Sequence, residues 1–172
     1  MEVIIYEIYI NFNNIKNKFL LYIYILASFI FLQFYLFYHF KIIDFIIIIL
    51  TITLFDTSSY FLGSIVGRNK IFLFISPHKT YEGLIGGIIF TILFMTIFNS
   101  IFANYDFLHF LLIILSIIIL SFLGDIIESY FKRLSSIKNS SKFIPGHGGF
   151  FDRFDSFILV TYGIFFYKLI VN

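Results

Sequence analysis

Long uncharged apolar runs alternate with two polar, glycine- and proline-bearing segments along the 172 residues. Phe19–Tyr38, Leu84–Ala103 and Phe107–Leu123 contain no Asp, Glu, Lys or Arg, and each approaches the roughly 20 apolar residues a helix needs to cross a bilayer. Ile42–Leu62 is as long but carries Asp44 near one end and Asp56 toward the other, and Ser156–Val171 is interrupted by Lys168. No alternation of the barrel type is visible, and a lone strand would leave its backbone groups unpaired in lipid, so each run predicts a helix. The expected architecture is an all-α, polytopic integral membrane helix bundle over 1–172. It has about five transmembrane helices, at approximately 19–38, 42–62, 84–103, 107–123 and 156–171, with long polar segments at 63–83 and 124–155.

Composition narrows this further. Hydrophobic residues make up 60% of the chain, aromatic residues 23% and charged residues 13%, with a mean hydropathy of +0.97; a soluble fold of this size could not hide that much apolar surface. Cysteine is absent, which excludes disulfides, thiolate metal sites and cysteine nucleophiles. The first long run starts late and follows Glu2 and Glu7, so it reads as a retained span rather than a cleaved signal.

Five spans place the termini on opposite sides and sort the basic residues ten against two. Lys16, Lys18, Arg68, Lys70, Lys79, Lys132, Arg133, Lys138, Lys142 and Arg153 share one side, and Lys41 and Lys168 the other. The preference of positive segments to stay inside orients the N-terminus and both long segments to the cytoplasm. No nucleic-acid partner is expected. Gly83 and Gly87, four apart at the start of the third span, suit close helix packing within the bundle more readily than a homodimer contact, which is the alternative.

Both prolines and seven of the ten glycines lie in or at the edges of the two polar segments, and residues 124–155 hold nine of the 22 charged side chains. If the fourth span continues helically past Gly124, Asp125 and Glu128 share a face and Glu128 also faces Lys132; a structural ion pair is the competing reading of that last contact. Asp152 and Asp155 are again three apart with Arg153 between them, so two helices deliver carboxylates to the membrane boundary. Oxygen-only carboxylate sets suit Mg²⁺ or a similar hard ion, and the neighbouring Lys and Arg suit phosphate. Between them, Pro145-Gly146-His147-Gly148-Gly149 is a turn whose backbone amides can approach an anion closely. Together these describe a phosphoryl or nucleotidyl transfer site at a bilayer surface.

The same residues resemble the CDP-diacylglycerol synthase, or phosphatidate cytidylyltransferase, family. Ser129, Lys132, Arg133, Lys138, Asn139, Ser141, Pro145, His147, Gly148, Gly149, Asp152, Arg153 and Asp155 are similar to its signature in order and spacing, with Asn139 where the family has aspartate. Ser76-Pro77-His78-Lys79-Thr80-Tyr81-Glu82-Gly83 looks like a second family segment, with tyrosine replacing tryptophan, and Asp56 to Gly67-Arg68 resembles a third. The part preceding Asp56 is shorter than in other members.

The resemblance implies attack of a phosphatidate phosphate oxygen on the α-phosphorus of CTP, giving CDP-diacylglycerol and pyrophosphate with Mg²⁺ as cofactor, in a bacterial-type inner membrane. By resemblance Asp125 and Asp152 are expected as metal ligands, with Asp155 close behind. Lys132, Arg133 and Arg153 are expected to neutralise phosphates, Lys79 to reach from the other polar segment, and the His147 turn with Gly146, Gly148 and Gly149 to hold the triphosphate. Ser76, Lys138 and Asp56 are the further substrate-binding candidates. For Asp56 a water-filled pocket is favoured over a structural pair, because a carboxylate within a span is costly. The alternatives are a CTP-dependent polyprenol or phytol kinase and a non-catalytic membrane subunit that keeps the fold.

Overall fold

The computed structural model describes residues 1–12, 18–141, 143 and 148–171. In chain order these form α1 (Glu2–Asn11), α2 (Lys18–Tyr38), α3 (Ile42–Val66), β1 (Lys70–Phe72), β2 (Ser76–Thr80), α4 (Tyr81–Phe98), a π-helical turn (Asn99–Ala103), α5 (Phe107–Leu134) and α6 (Phe151–Val171). Among the described residues four helices are long and apolar enough to cross a membrane, α2, α3, α4 with its π-turn, and α5. The protein is thus an all-α, polytopic integral membrane protein. Many Phe, Ile and Leu side chains on these helices are exposed, as a hydrocarbon solvent allows.

The chain divides into two compact units, one made of Met1–His39 with Leu120–Asn172, the other of Phe40–Ile119. In the contiguous unit, α3 packs on α4 through small residues. A Cβ on Gly83 would lie 2.6 Å from the Ser59 carbonyl and 2.8 Å from Gly63 Cα, and one on Gly87 would lie 2.7 Å from Ser59 Cβ. The glycine pair therefore serves packing inside the chain, as its spacing suggested. Thr80 starts α4 by accepting a hydrogen bond from the Gly83 amide at 3.1 Å, which satisfies one of the orphan amides of the first turn.

Residues 63–83 are shorter as a connection than expected, because α3 runs to Val66 and α4 starts at Tyr81. Between them β1 and β2 form an antiparallel hairpin, Lys70 opposite Thr80 and Phe72 opposite Ser76, with an irregularity between. Glu82 steadies its base by accepting from the Arg68 amide at 3.1 Å and from Asn69 Nδ2 at 2.7 Å.

In the discontinuous unit, α1 contributes Ile4, Ile8 and the adjoining Phe12 to a core with Leu21 and Ile25 of α2 and Phe151 and Ile158 of α6. Phe31 stacks on Phe165 and meets Tyr162 edge-on, and the Tyr162 hydroxyl donates to the Tyr24 carbonyl at 2.6 Å. The boundaries differ from the hydropathy pattern at both ends of the second polar segment. Helix α5 continues to Leu134 and α6 begins at Phe151, since helical hydrogen bonding does not stop where the apolar run does.

Candidate active site

The site is built on the second half of α5. Because the helix runs unbroken past Gly124, Asp125, Glu128 and Lys132 fall at separations of three and four and line one face. The helix ends in a Schellman turn, with Ser136 at positive φ (56°), its amide donating to the Arg133 carbonyl at 2.9 Å and the Ile137 amide to the Lys132 carbonyl at 3.0 Å. Arg133 Nη1 also donates to the Ile137 carbonyl at 3.3 Å.

Helix α6 supplies the other side. A Cβ on Gly124 would lie 2.6 Å from the Asp155 carbonyl oxygen and 3.2 Å from Ser156 Cα, so glycine is what lets the two backbones come this close. That approach brings carboxylate oxygens of Asp125, Glu128 and Asp155 within 4.8 Å of one another. Glu128 is 1% exposed, and Lys132 Nζ lies 2.6 Å from it and 2.9 Å from Asp152 Oδ1. The ammonium thus bridges carboxylates from both helices.

Asp152 is held on every side. Its oxygens accept from Lys132 Nζ at 2.9 Å, the Ser140 amide at 3.0 Å, the Ser140 hydroxyl at 3.0 Å and the Gly149 amide at 2.7 Å. Burial works to raise the Asp152 carboxyl, but hydrogen bonding to Glu128, the Gly149 amide and the Lys132 ammonium outweighs it and brings it down to about 2 from an ordinary 3.8. Gly148 has φ +83°, a conformation that glycine adopts without penalty, and it delivers the Gly149 amide to that carboxylate.

An all-oxygen set of Asp125, Glu128 and Asp155 fits a hard divalent cation such as Mg²⁺ by its chemistry, two or three carboxylates leaving room for water and phosphate oxygens. This grouping shares Asp125 and Asp155 with the sequence expectation. It brings Glu128 where Asp152 was expected, Asp152 being engaged by Lys132 and by the Ser140 and Gly149 amides. Arg153, Lys138 and Arg133 are exposed around the same unit. Gly146 and His147 lie outside the described residues. Asp56, Ser76 and Lys79 belong to the other unit, where Asp56 is half-buried on α3 and Ser76 and Lys79 are half-buried on β2.

Two residues escaped the sequence reading. Ser140 was not singled out, though it contacts Asp152 through both amide and hydroxyl. In the sequence Glu7 bears only on whether the first long run is a cleaved signal, yet it is 1% exposed within α1. Its signal was present: a carboxylate flanked by Val3–Tyr6 and Ile8–Ile10 needs partners if it is buried.

A family profile described as the cytidylyltransferase family matches residues 3–171. The chain is 40% identical over 124 residues to a phosphatidate cytidylyltransferase of Staphylococcus saprophyticus, an alignment covering 71% of this chain and 46% of that protein. It is also 40% identical over 112 residues to the phosphatidate cytidylyltransferase of Bacillus subtilis, covering 64% of this chain and 42% of that one. The chain therefore spans somewhat less than half the length of these curated relatives.

Proposed function

The chain belongs to the cytidylyltransferase family, and we propose from that premise that it transfers CMP from CTP to phosphatidate, giving CDP-diacylglycerol and pyrophosphate for phospholipid synthesis. The observation that carries the reading is the convergence of Asp125, Glu128 and Asp155 beside the Lys132–Asp152 pair on two adjacent helices. A phosphatidate oxygen forms a bond to the α-phosphorus of CTP as the bond to the bridging oxygen breaks, and pyrophosphate leaves with that electron pair. Every reactant is anionic, so the work of the protein is to neutralise and align.

Lys132 is held by two carboxylates, which favour its charged form, and so presents a cation to the site. Arg133, Arg153 and Lys138 are exposed and suit the phosphates of CTP and of the lipid head group. Mg²⁺, held by Asp125 with Glu128 and Asp155, would supply charge neutralisation at the phosphates. The contribution of Asp152 is to hold Lys132 and the Ser140 and Gly149 amides; the roles of His147 and Gly146 rest on the family resemblance alone. Substrate contacts from Ser76, Lys79 and Asp56 rest on that resemblance alone. The excess of basic residues in the polar segments supports a cytoplasmic active site.

The test is direct. Protein purified in detergent is expected to make CDP-diacylglycerol and pyrophosphate from phosphatidate and CTP with Mg²⁺, and to stop when a chelator is added. Release of CDP with a phosphorylated lipid would instead indicate a kinase, and no product from folded protein would reject catalysis by this chain. Asp125→Asn and Asp152→Asn are each expected to lower turnover by at least about a hundredfold while membrane extraction stays close to wild type and Asp152→Asn loses no more than about 1–2 kcal/mol, the stability its carboxylate contributes. Full activity in Asp152→Asn would remove Asp152 from the site.

A further inference from the structure

Glu7 presents a carboxylate, buried to 1% exposure, to the segment that carries the family signature. Its two oxygens divide the donors evenly. Oε1 accepts from the Ser141 hydroxyl at 2.7 Å and the Phe150 amide at 2.9 Å; Oε2 accepts from the Phe151 amide at 3.0 Å and faces the Ser140 hydroxyl at 3.4 Å. Ser140 has one hydroxyl proton, and its shorter contact is to Asp152 Oδ2 at 3.0 Å, so this side chain stands between the two carboxylates. One residue of α1 thereby joins both banks of the loop, Ser140–Ser141 on one side and the entry to α6 on the other.

We propose that Glu7 is a positioning residue for the transfer site: its carboxylate ties the hydroxyls of Ser140 and Ser141 to the backbone amides at the start of α6 and so fixes Asp152 against Lys132. The assignment rests on the cytidylyl-transfer reading of that site. Among the described residues, the hydrogen bonds of Glu7 run to Ser140, Ser141, Phe150 and Phe151 rather than to a group assigned to phosphate or cation, and it acts through the amides it holds. A carboxylate suits the position because it is acceptor-only, and both oxygens face an N–H that cannot rotate away. A carboxamide has one acceptor oxygen, and its NH₂ would be turned against either the Phe150 or the Phe151 amide. The signature glycine at 149 belongs to the same device, since a Cβ there would lie 2.7 Å from both Glu7 Oε1 and Ser141 Oγ.

The experiment compares the full chain with Glu7→Gln and with the milder Ser141→Ala, reading amide hydrogen exchange by mass spectrometry and kcat and KM separately. Glu7→Gln is expected to speed exchange across residues 148–153 by about tenfold or more and to lower kcat by about 10- to 100-fold, with KM for CTP changed less than about threefold. Exchange in α3 and α4 should not move. Ser141→Ala leaves both amides accepted and should lower kcat by less than about fivefold. Unchanged exchange at 148–153, or a kcat for Glu7→Gln within about twofold of wild type, would overturn the proposal. Loss of protection throughout α2 and α6 in both variants would also overturn it, making Glu7 a folding residue. An inactive wild-type chain would sink the cytidylyl-transfer reading, while the exchange arm would still decide whether Glu7 holds the loop.

Discussion

Asp152 ties the chemistry of single residues to stability. Its folded value of about 2 lies below the ordinary 3.8, so the carboxylate contributes stability that is present above about pH 4 and lost as pH falls toward 2. Allowing for its partial solvation, the contribution is about 1–2 kcal/mol, and metal-free protein should show it as a falling thermal midpoint between about pH 4 and 2 that Asp152→Asn flattens. Gly149→Ala addresses the same loop sterically. Its Cβ meets hydrogen-bonded side-chain ends, Ser141 Oγ and Glu7 Oε1, both at 2.7 Å, so the expected result is a kcat reduced at least about tenfold with the helices intact. Residues such as Asp125, Lys132 and Asp155 were legible because charge concentrated in an apolar chain is conspicuous. Glu7 and Ser140 were not, because what makes them matter is a fold that brings residues more than 130 positions apart into contact.

Among the elements, the contact of α5 with α6 hinges on Gly124. Gly124→Val would drive a side chain into the Asp155 carbonyl, 2.6 Å from the position of its Cβ, and backbone cannot rotate aside. A loss of about 1–3 kcal/mol is expected, together with activity, as read by thermal unfolding in detergent and by product formation. Gly86→Ala is the contrasting case: its Cβ would meet the Leu62 Cδ1 methyl at 2.7 Å, the movable end of a side chain, and near-normal unfolding should result. The long helices were readable from hydropathy, as was the helical continuation past Gly124 that aligns Asp125 with Glu128. The hairpin at 70–80 was not, since strands of three and five residues with Pro77 in one of them leave little alternation to detect. Helix α1 was too short for a span, and its residues are apolar nearly all round, so no face announced itself.

For the whole molecule, orientation is the property most open to test, and the cysteine-free sequence makes that test clean. A single cysteine at the exposed His78 is expected to react with a membrane-impermeant maleimide only when the cytoplasmic face is open, and one at the exposed Lys41 only from the other face. Reaction of both from one face would contradict the charge-based orientation. The two compact units differ in another way: one is a continuous stretch, Phe40–Ile119, whereas the other joins Met1–His39 to the chain after Leu120. On a ribosome adding about 5–20 residues per second, the contact between Glu7 and Phe151, 144 positions apart, cannot form until roughly 7–30 seconds after Glu7 has been made. The continuous unit can assemble during that interval, and α1 must wait with an ionisable group whose final donors do not yet exist. Assembly of this protein therefore closes late, and the newborn chain has to keep its first helix wetted or guarded until its last helix arrives.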